Sequence, residues 1–531
     1  MKSNRGFMRW LYYMVSVFGS LLVLGIYQFW PPIIYSLFIL VPYILIGLHD
    51  VLSTKHTILR NYPVVGHLRY LLEFIRPEIQ QYFVESDRDG TPFSREMRSL
   101  VYQKSKGVRE TIAFGTKNDI TSVGYQFSYH SLAPKKVDSS KTKVVIGGAD
   151  CKKPYESSRL NISGMSFGAL SPNAIRALNK GAAIGNFAHN TGEGGISQYH
   201  LEGGGDLVWQ IGTGYFGCRN QDGSFNEESF KTGAAQDVVK MIEIKLSQGA
   251  KPAHGGILPA VKVTAEIAKI RMLEMGKDAI SPPTHPEFST PIGLLKFVAR
   301  LRDLSGGKPV GFKLCLGHRK EFMSICKAMI KTGIKPDFIT VDGAEGGTGA
   351  APVTFTNRLG TPINEAIAFV NNCLIGSNLR DEIKLIASGK VATGYDMVTK
   401  IALGADTCNA ARAIMFSLGC IQSLHCNTDA CPTGVATQQK QRWSSLNVQD
   451  KSARVASFHK RTIHSFLELV GALGMDDPDN LNHSHIRRYA DISTSKSYDK
   501  IYPVLAKGEL LDKNSSCIYV DLWKNANAEE F

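Results

Sequence analysis

From residue 10 to residue 48 the chain carries no charged side chain, and this apolar run sets its N-terminal end apart from the rest. A secretory signal needs an apolar stretch of only ~7–15 residues, whereas one membrane-spanning helix needs roughly 20. Pro31-Pro32 divides the run, because proline removes a backbone donor and disrupts a helix interior. Lys2, Arg5 and Arg9 precede it, and Lys55 and Arg60 follow it. Basic flanks at both ends predict an N-terminal transmembrane helical hairpin with both ends in the cytoplasm. One spanning helix followed by an interfacial segment is the alternative. Either way the expected partner is a membrane, with the chain in the cell inner membrane and its catalytic part facing the cytoplasm.

Beyond the run the periodicity changes twice. Residues 51–110 are polar, basic and helical in pieces, as in "HLRYLLEFIRPEIQQYF", which reads as a juxtamembrane collar. After residue 160, short apolar runs alternate with amphipathic stretches, and glycine-rich turns follow the apolar runs. "LNISGMS" leads to a helix from Pro172 to about residue 183, and "IEIKLSQGAK" to one over about 258–270. "VGFKLCLG", "DFITVDGAEGG" and "EIKLIASGK" repeat the pattern. Such alternation predicts βα units on a parallel sheet. No leading G-x-G-x-x-G turn is present, so an α/β fold of the (β/α)8 TIM-barrel type is preferred over an open doubly wound sheet. The expected division is a transmembrane hairpin (1–50), a basic juxtamembrane segment (51–150), the barrel (151–450) and a C-terminal helical extension (451–531).

Composition narrows the function classes. The formal charge of +14 raises nucleic acid as a partner, but no zinc finger, RRM or basic helix accompanies it, so no nucleic acid is expected. Ten cysteines in 531 residues make no disulfide framework. Three of them, Cys420, Cys426 and Cys431, crowd into "GCIQSLHCNTDACPTGVATQ" with C-x5-C-x4-C spacing. That crowding points to a metal or redox use.

In a TIM barrel the active site lies at the C-terminal ends of the strands. The residues there are Met165-Ser166, Asn190 to Glu193, Gln248 to Lys251, Lys313, Glu345 to Thr348, and Ser388 to Lys390. Glycine lets backbone N–H groups approach a phosphate, and helix N-termini add partial positive charge. The late turns "ASGKVATG" and "CNAAR" sit where barrels commonly hold a cofactor phosphate. Lys251 and Arg271 are suited to the carboxylates of a keto acid, and Glu193 to proton relay. A surface lysine and a helix-capping arginine are the plainer alternatives.

The motifs "SGMSFGALS", "HNTGEGG", "QGAKPAHGGILPAVKV", "IAKIR", "ISPPTHPEF", "VDGAEGGTGAAP", "ASGKVATGYD" and "CPTGVATQ" occur in order over residues 107–450. In this the chain resembles the FMN-binding synthase domain of glutamate synthase, and its early segment resembles short stand-alone members of that family. The resemblance implies a (β/α)8 barrel carrying FMN and a 3Fe–4S cluster on Cys420, Cys426 and Cys431. Local cysteine runs ending in Cys-Pro are typical of iron–sulfur ligation. Zinc completed by His425 or Asp429 is the alternative. By the same resemblance Met165, Ser166, Asn190, Gln248, Lys313, Gly346, Gly347 and Thr348 surround the flavin, with Gly389 and Gly394 near its phosphate. Glu193 and Lys251 are the implied catalytic residues, and with Arg271 they hold 2-oxoglutarate or its imine.

Three departures stand out. The family's "GEGGQ" is replaced so that His254 stands for a Glu and Ile257 for a Gln that contacts the keto acid. Its His-Asp before "GGTGA" is Ala344-Glu345. Isoleucine cannot hydrogen-bond a carboxylate, so an acceptor less polar than 2-oxoglutarate, or one held differently, is an open alternative. No amidotransferase or nicotinamide-binding segment is recognised, so free ammonia and a separate electron donor are expected: a reductase, a ferredoxin or a quinone-linked protein. The alternative activities are a related amine-transferring synthase, such as N-methylglutamate synthase, and a membrane electron-transfer subunit.

Overall fold

The computed structural model describes residues 7–108 and 110–531, so Lys2 and Arg5 of the basic flank lie outside the described residues. The chain divides into two compact units, one ending at Arg95 and the other running from Glu96 to Phe531. That division falls within the span read as juxtamembrane.

The first unit opens with α1 (Phe7–Tyr27), a 3-10 turn at Pro31–Ser36 that begins on the two prolines, and α2 (Leu37–Leu52). The two helices pair antiparallel. The Tyr12 hydroxyl near the start of α1 donates to the Ile44 carbonyl near the end of α2 at 2.7 Å. Its ring occupies the space above Gly47, where a Cβ would lie 2.0 Å from a ring carbon. Phe7–Tyr27 and Pro31–Leu52 are each long and apolar enough to cross a membrane. Their outward leucines and aromatics, such as Leu22, Leu24 and Phe38, are mostly exposed. After a one-turn helix at Thr57–Asn61 comes α3 (Gly66–Ile79). Asp50, buried at the end of α2, ties this return together by accepting from the Val64 N–H at 2.9 Å and meeting His67 Nε2 at 2.9 Å.

The second unit is a closed barrel of eight parallel strands. They are β1 (Leu160–Ile162), β2 (His189–Asn190), β3 (Leu207–Ile211), β4 (Val239–Lys245), β5 (Val310–Leu314), β6 (Phe338–Asp342), β7 (Lys384–Ser388) and β8 (Thr407–Ala410). β8 pairs back onto β1 through Cys408 and Leu160, which closes the ring. Strands covered on both faces must be apolar almost throughout, and these are buried along nearly their whole length.

The helices begin where the sequence supplies caps. Ser171 accepts from Ala174 N–H at the start of α5 (Pro172–Gly185), and Thr290 from Gly293 N–H at the start of α7 (Pro291–Leu304). Between them lies α6 (Glu227–Ala234). The circuit continues through α8 (Arg319–Thr332), α9 (Ile363–Gly376), α10 (Gly394–Ala402) and α11 (Arg412–Ser417). The final long helix α12 (Val448–Ala472) lies against α5 and α10, so it is part of the barrel's outer layer.

One expected element differs. In place of a continuous helix over 258–270, Ile257–Leu258 pairs antiparallel with Ala279–Ile280, and helix resumes only at Ala265–Arg271. Pro259 and a 3-10 turn at Ala260–Lys262 interrupt the path, and Thr264 caps the new start by accepting from Ile267 N–H. The Lys262 ammonium turns inward to donate to the carbonyls of Ala169 and Cys426. The resulting hairpin brings Ile257 and Arg271 to one side of the barrel mouth.

Candidate functional site

Inside the barrel a buried polar network rises from the strands. Glu243 on β4 accepts from Asn190 Nδ2 (2.8 Å), Gln210 Nε2 (2.6 Å) and Thr340 Oγ1 (2.7 Å). Three donors satisfy a carboxylate that is almost wholly buried. Two residues on, Lys245 points the same way, since side chains alternate along a strand. Its ammonium lies 2.7 Å from Glu193 Oε1. Lys313 on β5 pairs with Asp342 at 3.3 Å, and Asp342 also accepts the Gly249 N–H at 3.0 Å. Burial opposes the charge on Lys313, but Asp342 and then Glu243 outweigh it and hold its pKa above the ordinary lysine value.

Above this network lies a cavity of about 50 Å³. Six expected site residues line it: Ser166, Glu193, Gln248, Lys251, Arg271 and Thr348. Gly212 and Gly256 leave room for the Glu193 carboxylate, since a Cβ on either would come within 2.6 Å or 2.3 Å of its oxygens. Burial works to raise the Glu193 pKa, yet Lys245, then Arg271 and Lys251, hold it below the usual carboxylate value. The surrounding cations thus favour the carboxylate form of Glu193.

Lys251 departs from its ordinary value in the other sense for a charged group, toward neutrality. Burial, followed by the charge of Lys245, brings its pKa down to about 8. Its Nζ donates to the Ala350 carbonyl at 2.9 Å. Arg271 donates from Nη2 to the Phe167 carbonyl (2.8 Å) and Ser166 Oγ (3.3 Å), with its guanidinium 5.2 Å from the Phe216 ring centre. Its buried Nε and the buried hydroxyl of Ser281 on the same cavity have no hydrogen-bond partner. Unmet polar groups in a closed space are costly, and an anionic ligand would satisfy the arginine.

The other expected positions do not line the cavity. Met165 and Gly192 are in backbone contact, and Asn190 and Lys313 belong to the network beneath. Gly346 approaches the Ala250 and Gly249 backbone, and a Cβ on Gly347 would meet the Arg412 guanidinium at 2.9 Å. Gly389 sits against Ile363, and Gly394 against the Phe466 backbone, where a Cβ would lie 2.6 Å from its nitrogen. Helix packing thus accounts for Gly394 being glycine. The cationic corner at the ends of β7 and β8 is formed by Lys390 and Arg412. Burial, then Arg412, lowers the Lys390 pKa, and burial lowers that of Arg412. This corner is where barrels commonly hold phosphate. Sequence reasoning missed Glu243, Lys245 and Arg412 as individual site residues. The readable signal was two charges at i and i+2, Glu243 and Lys245, inside the otherwise apolar "MIEIK".

Of the three departures only Ile257 reaches the cavity. His254 packs edge-on against Phe355, at 5.3 Å between ring centres. Glu345 accepts the Ile363 N–H at 3.0 Å, at the start of α9.

The cysteine segment leaves α11 and runs under α4 (Arg95–Lys106), whose Tyr102 hydroxyl donates to the Cys420 carbonyl at 2.6 Å. All ten cysteines are free thiols. Burial, with smaller contributions from Cys426 and Cys431, pushes the Cys420 thiol up to about 12. Cys431 goes the other way: burial opposes ionisation, but Thr433 and the backbone N–H groups of Ala436, Thr433 and Val435 lower its pKa. The Lys262 ammonium favours charge on both Cys426 and Cys431. Among the described residues no three His, Cys, Asp or Glu side chains close on a point that would hold one metal ion. A single zinc would draw its thiolates to within about 4 Å of one another, given Zn–S bonds of ~2.3 Å. Asp429 is occupied in holding the segment, accepting the Gln438 N–H at 2.6 Å.

Residues 120–476 match the family model described as the conserved region in glutamate synthase. The chain is 38% identical over 482 residues to the glutamate synthase large subunit-like protein YerD of Bacillus subtilis, covering 83% of this chain and 91% of that protein. It is 35% identical over 365 residues to the archaeal glutamate synthase [NADPH] of Methanocaldococcus jannaschii, covering 68% of this chain and 67% of that one. Among solved structures, a mutant flavocytochrome b2 with pyruvate bound aligns with a TM-score of 0.42 at 12% identity, covering 82% of this chain and 88% of that chain.

Proposed function

The chain belongs to the glutamate synthase family, and on that premise we propose that it is an FMN- and 3Fe–4S-dependent oxidoreductase that converts a keto acid and ammonia to an amino acid. The observation that carries this reading is the enclosed cavity in which Lys251, Arg271 and Glu193 meet above the barrel. The keto acid, of the 2-oxoglutarate type, condenses with ammonia to an imine and water, and two electrons with protons complete the amino acid. When bound, the flavin supplies hydride and the cluster supplies electrons one at a time from a separate donor, such as a reductase, a ferredoxin or a quinone-linked protein.

The chain's own residues do the rest. Arg271, with an unused Nε, and Lys251 bind and orient acceptor carboxylates. Lys251, poised near pH 8, holds a proton for the imine nitrogen, whose carbon takes the hydride. Glu193, held anionic by Lys245, stabilises the positive charge of an iminium. The cationic corner of Lys390 and Arg412 supports phosphate binding for FMN. The three thiols, with backbone N–H groups around Cys431 and Lys262 beside them, support a cluster. The apolar pair α1 and α2 supports insertion in the cell inner membrane with the catalytic unit on the cytoplasmic side.

Ile257 on the cavity favours a second reading, an amine-transferring synthase acting on a less polar acceptor. The test is anaerobic. The reduced protein is mixed with 2-oxoglutarate, pyruvate or longer keto acids, each with ammonia or methylamine, and flavin reoxidation is followed by absorbance. Fast reoxidation by 2-oxoglutarate with ammonia supports the first reading, preference for another pair supports the second, and no reoxidation by any pair refutes both.

A further inference from the structure

α3 follows the two membrane-length helices, after a short return, in the same compact unit. It is amphipathic in an unusual sense. Its inner side, at Gly66 and Tyr70, packs on the short helix before it: a Cβ on Gly66 would meet a Leu59 side chain at 2.9 Å, and Tyr70 contacts the His56 ring edge-on at 5.8 Å. At 100° per residue, Leu68, Leu71, Leu72, Ile75 and Ile79 fall on one arc facing away from that contact. Leu68, Leu71 and Leu72 are 56%, 54% and 51% exposed, and Phe83 just beyond is 85% exposed. A helix of a water-soluble domain turns its apolar stripe inward; this one turns it outward.

Three observations select the occupant. The arc belongs to the same unit as two apolar helices of spanning length. Arg69, ion-paired with Glu73, and Arg76 lie along one edge of the arc and Glu78 at the other, while Lys55 and Arg60 precede it. The border thus carries both signs and is net basic only with the two residues that lead into it, a balance compatible with anionic headgroups. The buried Asp50 at the end of α2 fixes the return through Val64 and His67, so the helix is held close to where α2 ends.

We propose that α3 is an interfacial helix that sinks its Leu68–Leu71–Leu72–Ile75 face into the headgroup layer of an anionic lipid surface. It thereby makes a second, in-plane membrane contact besides the spanning pair. This rests on reading residues 7–52 as membrane-spanning, and the experiment separates the two claims. The full chain is reconstituted in vesicles of phosphatidylcholine and phosphatidylglycerol, with the photo-crosslinker p-benzoylphenylalanine placed singly at Leu68, Leu71, Leu72, Arg69, Glu73 or, in α1, Leu22. Lipid adducts at Leu68, Leu71 and Leu72 that are lost at Arg69 and Glu73 are the expected result, since this helical periodicity requires one face in lipid. Adducts at Leu22 but none at Leu72 would overturn the proposal while leaving the anchor intact. Adducts at the leucines but none at Leu22 would remove the anchor on which the proposal rests, and would overturn it as a contact made besides a spanning pair. Crosslinks from Leu72 to a second copy of the chain or to another protein, or equal labelling all around the helix, would overturn it.

Discussion

Replacing Lys251 by methionine separates a ligand-binding role from a structural one, because the structure assigns opposite signs to the two. The side chain is buried, and its ammonium has one identified partner, the Ala350 carbonyl at 2.9 Å. A neutral side chain of similar length loses that bond, about 1 kcal/mol net, and escapes the cost of burying a charge beside Lys245. The sign of the pH effect follows from the direction of the shift. The folded-state pKa of about 8 lies below the ordinary lysine value of 10.5, so the burial penalty is full below pH 8 and fades toward 10.5. The variant is therefore expected to match or exceed the parent in stability at pH 7, with the gap narrowing as pH rises.

Acceptor binding should move the other way. Losing a charge-assisted hydrogen bond to a carboxylate costs about 1.5–3 kcal/mol, and at ~1.4 kcal/mol per decade that is roughly one to two decades in Kd. Titration of the flavin absorbance with 2-oxoglutarate gives Kd directly. In the parent, affinity should be flat below pH 8 and fall above it as Lys251 loses its proton; in the variant that fall should vanish. A variant that binds the acceptor as tightly as the parent, or a parent whose affinity does not change between pH 7 and pH 9, would refute the assignment of Lys251 to the acceptor.

Three further outcomes are expected. Lys390→Met removes one cation from the corner at the ends of β7 and β8 and should weaken FMN retention by roughly one to two decades, measured by flavin release on dilution; unchanged retention would move the phosphate elsewhere. Cys431→Ser should remove iron and sulfide together in anaerobically prepared protein while leaving FMN bound, read by metal analysis and the visible spectrum; loss of stoichiometric zinc instead would return the segment to the zinc reading. Ile257→Gln should speed reoxidation by 2-oxoglutarate with ammonia if this side chain alone sets acceptor polarity; equal rates before and after would show that it does not.

The barrel was legible because parallel strands covered on both faces must be apolar runs, and "VGFKL" and "FITVD" are such runs. Glu193, Lys251 and Arg271 were legible because they follow strands or close a helix inside recognisable motifs. What stayed hidden was hidden for physical reasons. Glu243 and Lys245 lie within a strand and look like surface charges until the network shows three donors on one and a carboxylate partner for the other. The helix expected over 258–270 failed because Thr264 supplies its own cap and Lys262 is drawn inward by two carbonyls, neither of which a periodic pattern reports. The clamp of Tyr102 on Cys420 joins residues 318 positions apart, a pairing that no local signal marks.

One balance, amino acid made against electrons lost, measures the proposed activity most directly. Anaerobically reduced protein, freed of excess reductant, is mixed with 2-oxoglutarate and isotopically labelled ammonia in a single turnover, and labelled glutamate is quantified against flavin reoxidised. Glutamate formed in proportion to the electron pairs lost from the protein, and absent when either substrate or Arg271 is removed, is the predicted result. Reoxidation without any amino acid product, or glutamate formed equally without prior reduction of the protein, would contradict it.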